Sequence, residues 1–310
     1  MKNFVSTFKK WHAYQKERFP LLKYSLITAA FAGSGLALSS MTSTPGEPFP
    51  FRVFPAAFLV SLFFFFQLRV SDELKDYETD CRYYPQRPVP RGLISRQELL
   101  VNGLILAAVQ ILLCLQIGLV HLLPLFACWT YLLFMHNEFF IGEWLKQHPL
   151  IYTFLHMLVL LCLDVFITSC HWLDAGLVPS PTLISFYATS FFLGLVLEIG
   201  RKVKSPQEDF NGSNTYTNML GESGAISLWY ASIVFCFGFA ALTAMQTSDM
   251  LMFMSFIFPS LSLCFLSGAF FLFHKNANTA KRIESAAGLF VLCTYLSLGL
   301  VPFIVQKLGS

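Results

Sequence analysis

Asp72, Asp76 and Asp80 stand four residues apart in the stretch FQLRVSDELKDYETDCRYYPQRPVPRGL, where a hydrophobic run gives way to charge. On a helix advancing about 100° per residue, each step of four drifts by only about 40°, so one face carries all three. Carboxylates held that close repel one another, and a cation is expected to compensate them. Arg82, Arg87 and Arg91 follow in the same loop, among prolines at 85, 88 and 90. A second mixed cluster, EIGRKVKSPQED, supplies Glu198, Arg201, Lys202, Lys204, Glu208 and Asp209. Acids interleaved with Arg and Lys suit a phosphate or diphosphate bridged by Mg²⁺. The metal takes a carboxylate or two plus phosphate oxygens and water, while Arg forks onto the remaining oxygens. Ordinary solvated loops would account for the basic residues. They do not account for three in-phase aspartates.

The elements that must position these clusters are hydrophobic. The 310-residue chain is 55% hydrophobic and 13% charged, with 34 phenylalanines, whereas soluble domains carry about 25% charged residues. The apolar residues come in blocks of about 20, the length that spans a bilayer core. Nine such blocks occur, at 21–41, 51–70, 98–118, 119–139, 150–170, 181–199, 225–246, 250–273 and 285–305. The expected fold is all-α, a polytopic bundle of nine transmembrane helices. Both charged clusters follow even-numbered spans and so lie at the same end of it.

Charge sets the expected orientation. With the N-terminus cytoplasmic, 19 of the 21 Lys and Arg residues fall on the inner side, and only Arg52 and Lys307 fall outside. The opening MKNFVSTFKKWHAYQKERF interleaves apolar and charged residues, unlike a signal peptide. Phe4, Phe8 and Trp11 share a helical stripe, so residues 1–20 read as an interfacial amphipathic segment ahead of a membrane domain at 21–310. The net charge of +3 then describes affinity for a membrane surface. Nucleic acid is not an expected partner, since no basic stripe, zinc-finger spacing or nucleotide-binding glycine loop occurs. The eight cysteines form no CxxC pair and lie mostly within spans, as buried apolar residues do. The sequon at Asn211 falls on the cytoplasmic side and reads as a turn.

The first loop resembles the signature of the UbiA superfamily of intramembrane prenyltransferases, Asn/Asp-x3-Asp-x3-Asp followed by Arg-Pro and closed by Pro and Gly. Here Asp72, Asp76, Asp80, Arg87-Pro88, Pro90 and Gly92 stand in that spacing. The match is sharp over about twenty residues. The nine spans, with acidic loops after the second and sixth, carry the resemblance across the chain. It implies a Mg²⁺-dependent enzyme that uses an isoprenyl diphosphate inside a nine-helix bundle. Asp76, Asp80 and Glu198 are then expected to be catalytic. Arg87, Arg201 and Lys202 are expected to bind diphosphate, and the metal ligands come from Asp72, Asp76, Asp80, Glu198 and Asp209. Two features depart from the family pattern. Asp72 replaces the common Asn, and the second loop has no clean Asp-x3-Asp. Glu198-x3-Lys202 occupies the expected place, with Glu208-Asp209 after a short insertion and NTYTNMLG (214–221) resembling the end of the family loop. Either Glu198 or Asp209 supplies the second ligand.

Isolated polar residues inside spans are weaker signals. His156 lies about two turns into the fifth span, a depth where an acceptor ring would sit, although a packed histidine bonded to a neighbouring helix has the same appearance. Asp164, two turns deeper, reads as a structural pair. Glu138, Glu143, Lys146 and His148 surround the loop between spans four and five, on the side of the acidic clusters. The resemblance favours transfer of an isoprenyl chain to an aromatic, quinone-precursor-like or lipid acceptor, with membrane lipids as surroundings and the site facing the cytoplasm. A terpene cyclase of the same superfamily would ionise the diphosphate without an external acceptor. A cation-binding transporter would carry acids near the midplane or an internal repeat, and the sequence has neither.

Overall fold

A computed structural model describes residues 2–209, 215–247 and 250–309, the side chains of residues 2–7 and 309 excepted. The Asn211 sequon, Asn214 and the Phe4 side chain therefore lie outside the described residues. Among those described, the regular elements are all helical. They are α1 (Lys2–Arg18), α2 (Leu21–Ser43), α3 (Phe54–Lys75), α4 (Tyr77–Tyr83), α5 (Arg96–Ile117), α6 (Leu122–His136), α7 (Gly142–Gln147), α8 (Pro149–Met157), α9 (Val159–Trp172), α10 (Thr182–Arg201), α11 (Tyr216–Thr247), α12 (Met250–His274), α13 (Ala277–Leu298) and α14 (Leu300–Gly309). Nine helical stretches among the described residues are long and apolar enough to cross a membrane.

Each expected span has its counterpart, with three differences that bear on the site. The second span runs to Lys75, five residues beyond the apolar block, so Arg69, Asp72 and Lys75 ride on its last turns. The fifth is two helices, α8 and α9, because the ladder tightens to i→i+3 bonds around Leu158. The ninth begins at Ala277 and is broken at Gly299 into α13 and α14.

Burial ranks the spans. The first and sixth have 56% of their apolar window inside the protein and the third only 17%, so α2 and α10 are central and α5 presents its leucines to lipid. Small residues let the central helices approach, as expected where lipid is as apolar as the core. A Cβ on Gly35 would come within 2.8 Å of Ile167, and one on Gly299 within 2.4 Å of the Ser34 backbone. The first and ninth spans therefore touch backbone to backbone. All eight cysteines are free, five of them buried.

Outside the bundle core lies a second apolar cluster. Tyr14 of α1 is fully buried against Val70, Val89, Ile94 and Leu99, with Trp11 and Phe66 beside it, while Phe8 stays 66% exposed. The N-terminal helix thus does more than lie at an interface. It packs its inner face onto the end of α3 and the loop that follows.

Candidate active site

The three aspartates lie on a helical path that bends once. The ladder continues through them, from Asp76 N to Asp72 O, Asp80 N to Asp76 O and Tyr84 N to Asp80 O, each at 2.8 Å. The bend falls on Asp76, between α3 and α4. Their environments differ. Asp80 is buried and receives Arg87 Nη1 at 2.5 Å, and the Arg87 guanidinium stacks 3.7 Å over the Tyr84 ring. The turn from Tyr84 to Arg87 brings Arg87 back to Asp80, and the turns that follow end at Gly92, whose φ of +77° belongs to the region glycine adopts without steric cost. That is the physical reason for a glycine at the close of the motif. Asp72 is half-exposed and lies 3.8 Å from Arg69. Asp76 is open.

In the second cluster, Glu198 sits in the last turn of α10 and holds two cations, Arg201 Nη2 at 2.6 Å and Lys202 Nζ at 2.8 Å. Asp209 accepts from the hydroxyls of Thr215 and Thr217 at 2.6 and 2.9 Å, which ties the loop to the start of α11. Of the two acids, Glu198 holds the cations at the end of α10 and Asp209 braces the second loop.

The two clusters meet at one end of the bundle. Arg201 lies within electrostatic reach of Asp72 and Tyr24, Arg69 within reach of Asp72, Tyr24 and Arg201, and His156 within reach of Lys75, Asp72 and Glu198. One side of this meeting point is an aromatic wall. Lys75 Nζ donates to the Tyr152 hydroxyl at 2.6 Å, Tyr152 stacks on His156 at 4.0 Å, and Phe139 meets His156 edge-on at 6.0 Å. His156 Nδ1 lies 2.9 Å from the Tyr152 carbonyl. That bond assigns the ring proton to Nδ1. Nε2 is left as an acceptor, buried and without a hydrogen-bond partner among the described residues.

Phe139 reaches this wall from an unusual backbone. Glu138, Phe139 and Phe140 have φ of 49°, 54° and 60°, one left-handed turn without a glycine. Such residues cost about 1–3 kcal/mol each and persist where packing over-determines them. Here Phe139 is wedged between Tyr131 and His156. Gly142 makes room, since a Cβ there would meet the Glu138 carboxylate at 2.1 Å. The Asp76 carboxyl is pushed up to about 6, first by partial desolvation and then by Asp72, Asp80 and Glu138, against Lys75.

The donor set fits Mg²⁺ in the manner that ion prefers. Among the described residues no three acid, His or Cys side chains cage a metal by themselves. Asp72 and Asp76 instead present open oxygens beside cations suited to phosphate, and Mg²⁺ completes such a site with substrate phosphates and water. The excess negative charge around Asp76 is what a divalent ion would relieve.

Spacing did not single out Arg69, Lys75, Tyr24 or Tyr152, all of which lie within reach of the two clusters. Asp164 lies elsewhere, fully buried and accepting from Ser190 Oγ at 3.0 Å. Glu143 and Lys146 form an exposed pair at 2.8 Å, and His148 stacks on Trp144.

A family model described as the UbiA prenyltransferase family matches residues 30–291. A solved structure concerned with digeranylgeranylglyceryl phosphate synthase in membranes superposes with a TM-score of 0.58 at 17% identity, covering 97% of this chain and 100% of that one. At that identity the likeness is one of fold. No curated protein sequence matches.

Proposed function

Because the chain belongs to the UbiA prenyltransferase family, and is thereby a multi-pass intramembrane prenyltransferase, we propose that it transfers an isoprenyl group from its diphosphate to an aromatic or lipid acceptor, with Mg²⁺ required. The observation that carries this reading is the meeting of Asp72 with Arg201 and of His156 with Asp72 and Glu198 at one end of the bundle, with Asp76 beside Asp72. In this reading residues 21–310 are the transferase, residues 1–20 an N-terminal segment, and the active site faces the cytoplasm.

Asp72 and Asp76 hold Mg²⁺ in this reading, with Asp80 and Glu198 beside them as the charged residues that orient their cationic neighbours. The bound ion would supply positive charge to the leaving diphosphate. Arg69, Arg201 and Lys202 are the cations assigned to the diphosphate oxygens in this reading, where charge grows as the C1–O bond breaks. Arg87 exchanges part of its contact with Asp80 for diphosphate. The bundle keeps bulk water from the allylic cation, and the aromatic wall of Tyr152 and Phe139 supplies π-density on that side. A bond then forms between C1 and the acceptor, which loses a proton. In this reading the proton goes to His156 Nε2, an acceptor without a hydrogen-bond partner among the described residues.

Proteoliposomes given labelled isoprenyl diphosphates of several lengths and a panel of aromatic and lipid acceptors test the proposal by mass spectrometry. Prenylated acceptor should appear, vanish with EDTA and return with Mg²⁺. A hydrocarbon product formed without acceptor would mean a cyclase instead, and full turnover after chelation would exclude the metal.

A further inference from the structure

Arg87 is presented by a stretch with little regular structure. Residues 84–95 run through turns broken by Pro85, Pro88 and Pro90 and closed by backbone bonds such as Arg91 N to Arg87 O at 3.0 Å and Leu93 N to Pro88 O at 2.9 Å. Side-chain support is added by α1. Glu17 accepts both arms of the Arg91 guanidinium, Nη1 at 2.9 Å and Nη2 at 2.8 Å. The same Nη1 donates to the Gln86 carbonyl at 2.7 Å, on the residue next to Arg87. Below this fork, Tyr14 is sealed against Val89 and Ile94 of the loop. On either side Lys10 pairs with Glu98 and Arg18 with Glu73. A helix that served only to touch lipid has no need of a bidentate pair directed at one particular carbonyl.

We propose that Glu17 and Arg91 are positioning residues, which through the Gln86 carbonyl fix the backbone from which Arg87 reaches the diphosphate. The inference rests on the reading of Arg87 as a diphosphate ligand. Exposed ion pairs add little to stability, so cutting this one spares the fold. Its effect lies in geometry, where a misplacement of about 1 Å in a binding group is costly.

The experiment measures kcat and the KM for diphosphate and for acceptor in full-length protein in liposomes. The variants are Glu17→Ala, Arg91→Ala, the double variant and Arg87→Ala. Arg91→Ala should raise the diphosphate KM about tenfold and Glu17→Ala about threefold, with the acceptor KM unmoved. Because both act through one carbonyl, the double variant should match Arg91→Ala at about tenfold, where independent effects would multiply to about thirtyfold. Glu17→Ala separates positioning from direct binding, since an Arg91 that touched diphosphate itself would be freed, and the KM would not rise. An unchanged KM in Glu17→Ala, or a multiplied effect in the double variant, overturns the proposal. An Arg87→Ala enzyme with wild-type diphosphate KM overturns the underlying reading of Arg87 instead.

Discussion

Asp76→Asn is expected to make the resting protein more stable and the enzyme nearly inactive, two effects of opposite sign from one nearly isosteric exchange. Burial and the carboxylates of Asp72, Asp80 and Glu138 raise the Asp76 carboxyl from 3.8 to about 6. A shift of that size corresponds to about 3 kcal/mol disfavouring the charged form at neutral pH. Asp76 is open to solvent, and screening discounts this to about 1 kcal/mol. The folded value lies above the unfolded one, so the wild-type stabilisation from proton uptake is complete below about pH 4 and lost as pH rises through about 6. Asparagine carries no such dependence. Thermal unfolding in EDTA should therefore give curves that converge at low pH and separate above pH 6, with the variant the more stable. Turnover should fall by at least about 100-fold, as when a group stabilising transition-state charge is removed. A variant that unfolds earlier than wild type at pH 7.5, or one that keeps wild-type turnover, would refute the reasoning.

Three further outcomes follow from contacts on other faces. Arg18→Ala strands Glu73, whose side chain is 1% exposed, and should cost about 3–5 kcal/mol; an Arg18→Leu/Glu73→Leu double variant should regain most of this in thermal unfolding. Glu198→Gln leaves Arg201 and Lys202 facing each other and should cut turnover at least about tenfold, whereas Asp209→Asn should cost about 1 kcal/mol of stability with turnover little changed; equal turnover losses would contradict the different roles. Gly299→Ala forces a Cβ onto the Ser34 backbone, within 2.4 Å, and should destabilise by about 1–3 kcal/mol while the KM for diphosphate in the surviving protein stays at the wild-type value.

The spans were legible because bilayer thickness dictates the length of an apolar block, and that constraint is local in sequence. Helix breaks within a span were not, because Leu158 and Gly299 interrupt the ladder without interrupting hydrophobicity. The aspartate spacing gave the correct phase, since phase depends only on helix geometry. It could not tell Asp80, covered by Arg87, from Asp72 and Asp76, which stay open. Lys75 and Tyr152 are 77 residues apart, and no pattern within either segment announces their meeting. Tyr14 reads like any aromatic on an amphipathic helix until the loop that buries it is in place. The left-handed turn at Glu138–Phe140 was hidden for a different reason, because the usual glycine signal is missing from it.

The backbone contact between Gly299 and Ser34 also has a consequence for how the protein is made. Ribosomes deliver the spans in order, and the first waits for the ninth. Both acidic loops and the aromatic wall are complete once residue 216 has been synthesised, yet the seam that closes the bundle needs the stretch from Ala277 to Leu308. A nascent chain stalled after His274 would hold every charged group of the two clusters while the backbone of α2 at Ser34 still lacks the partner that Gly299 brings to it.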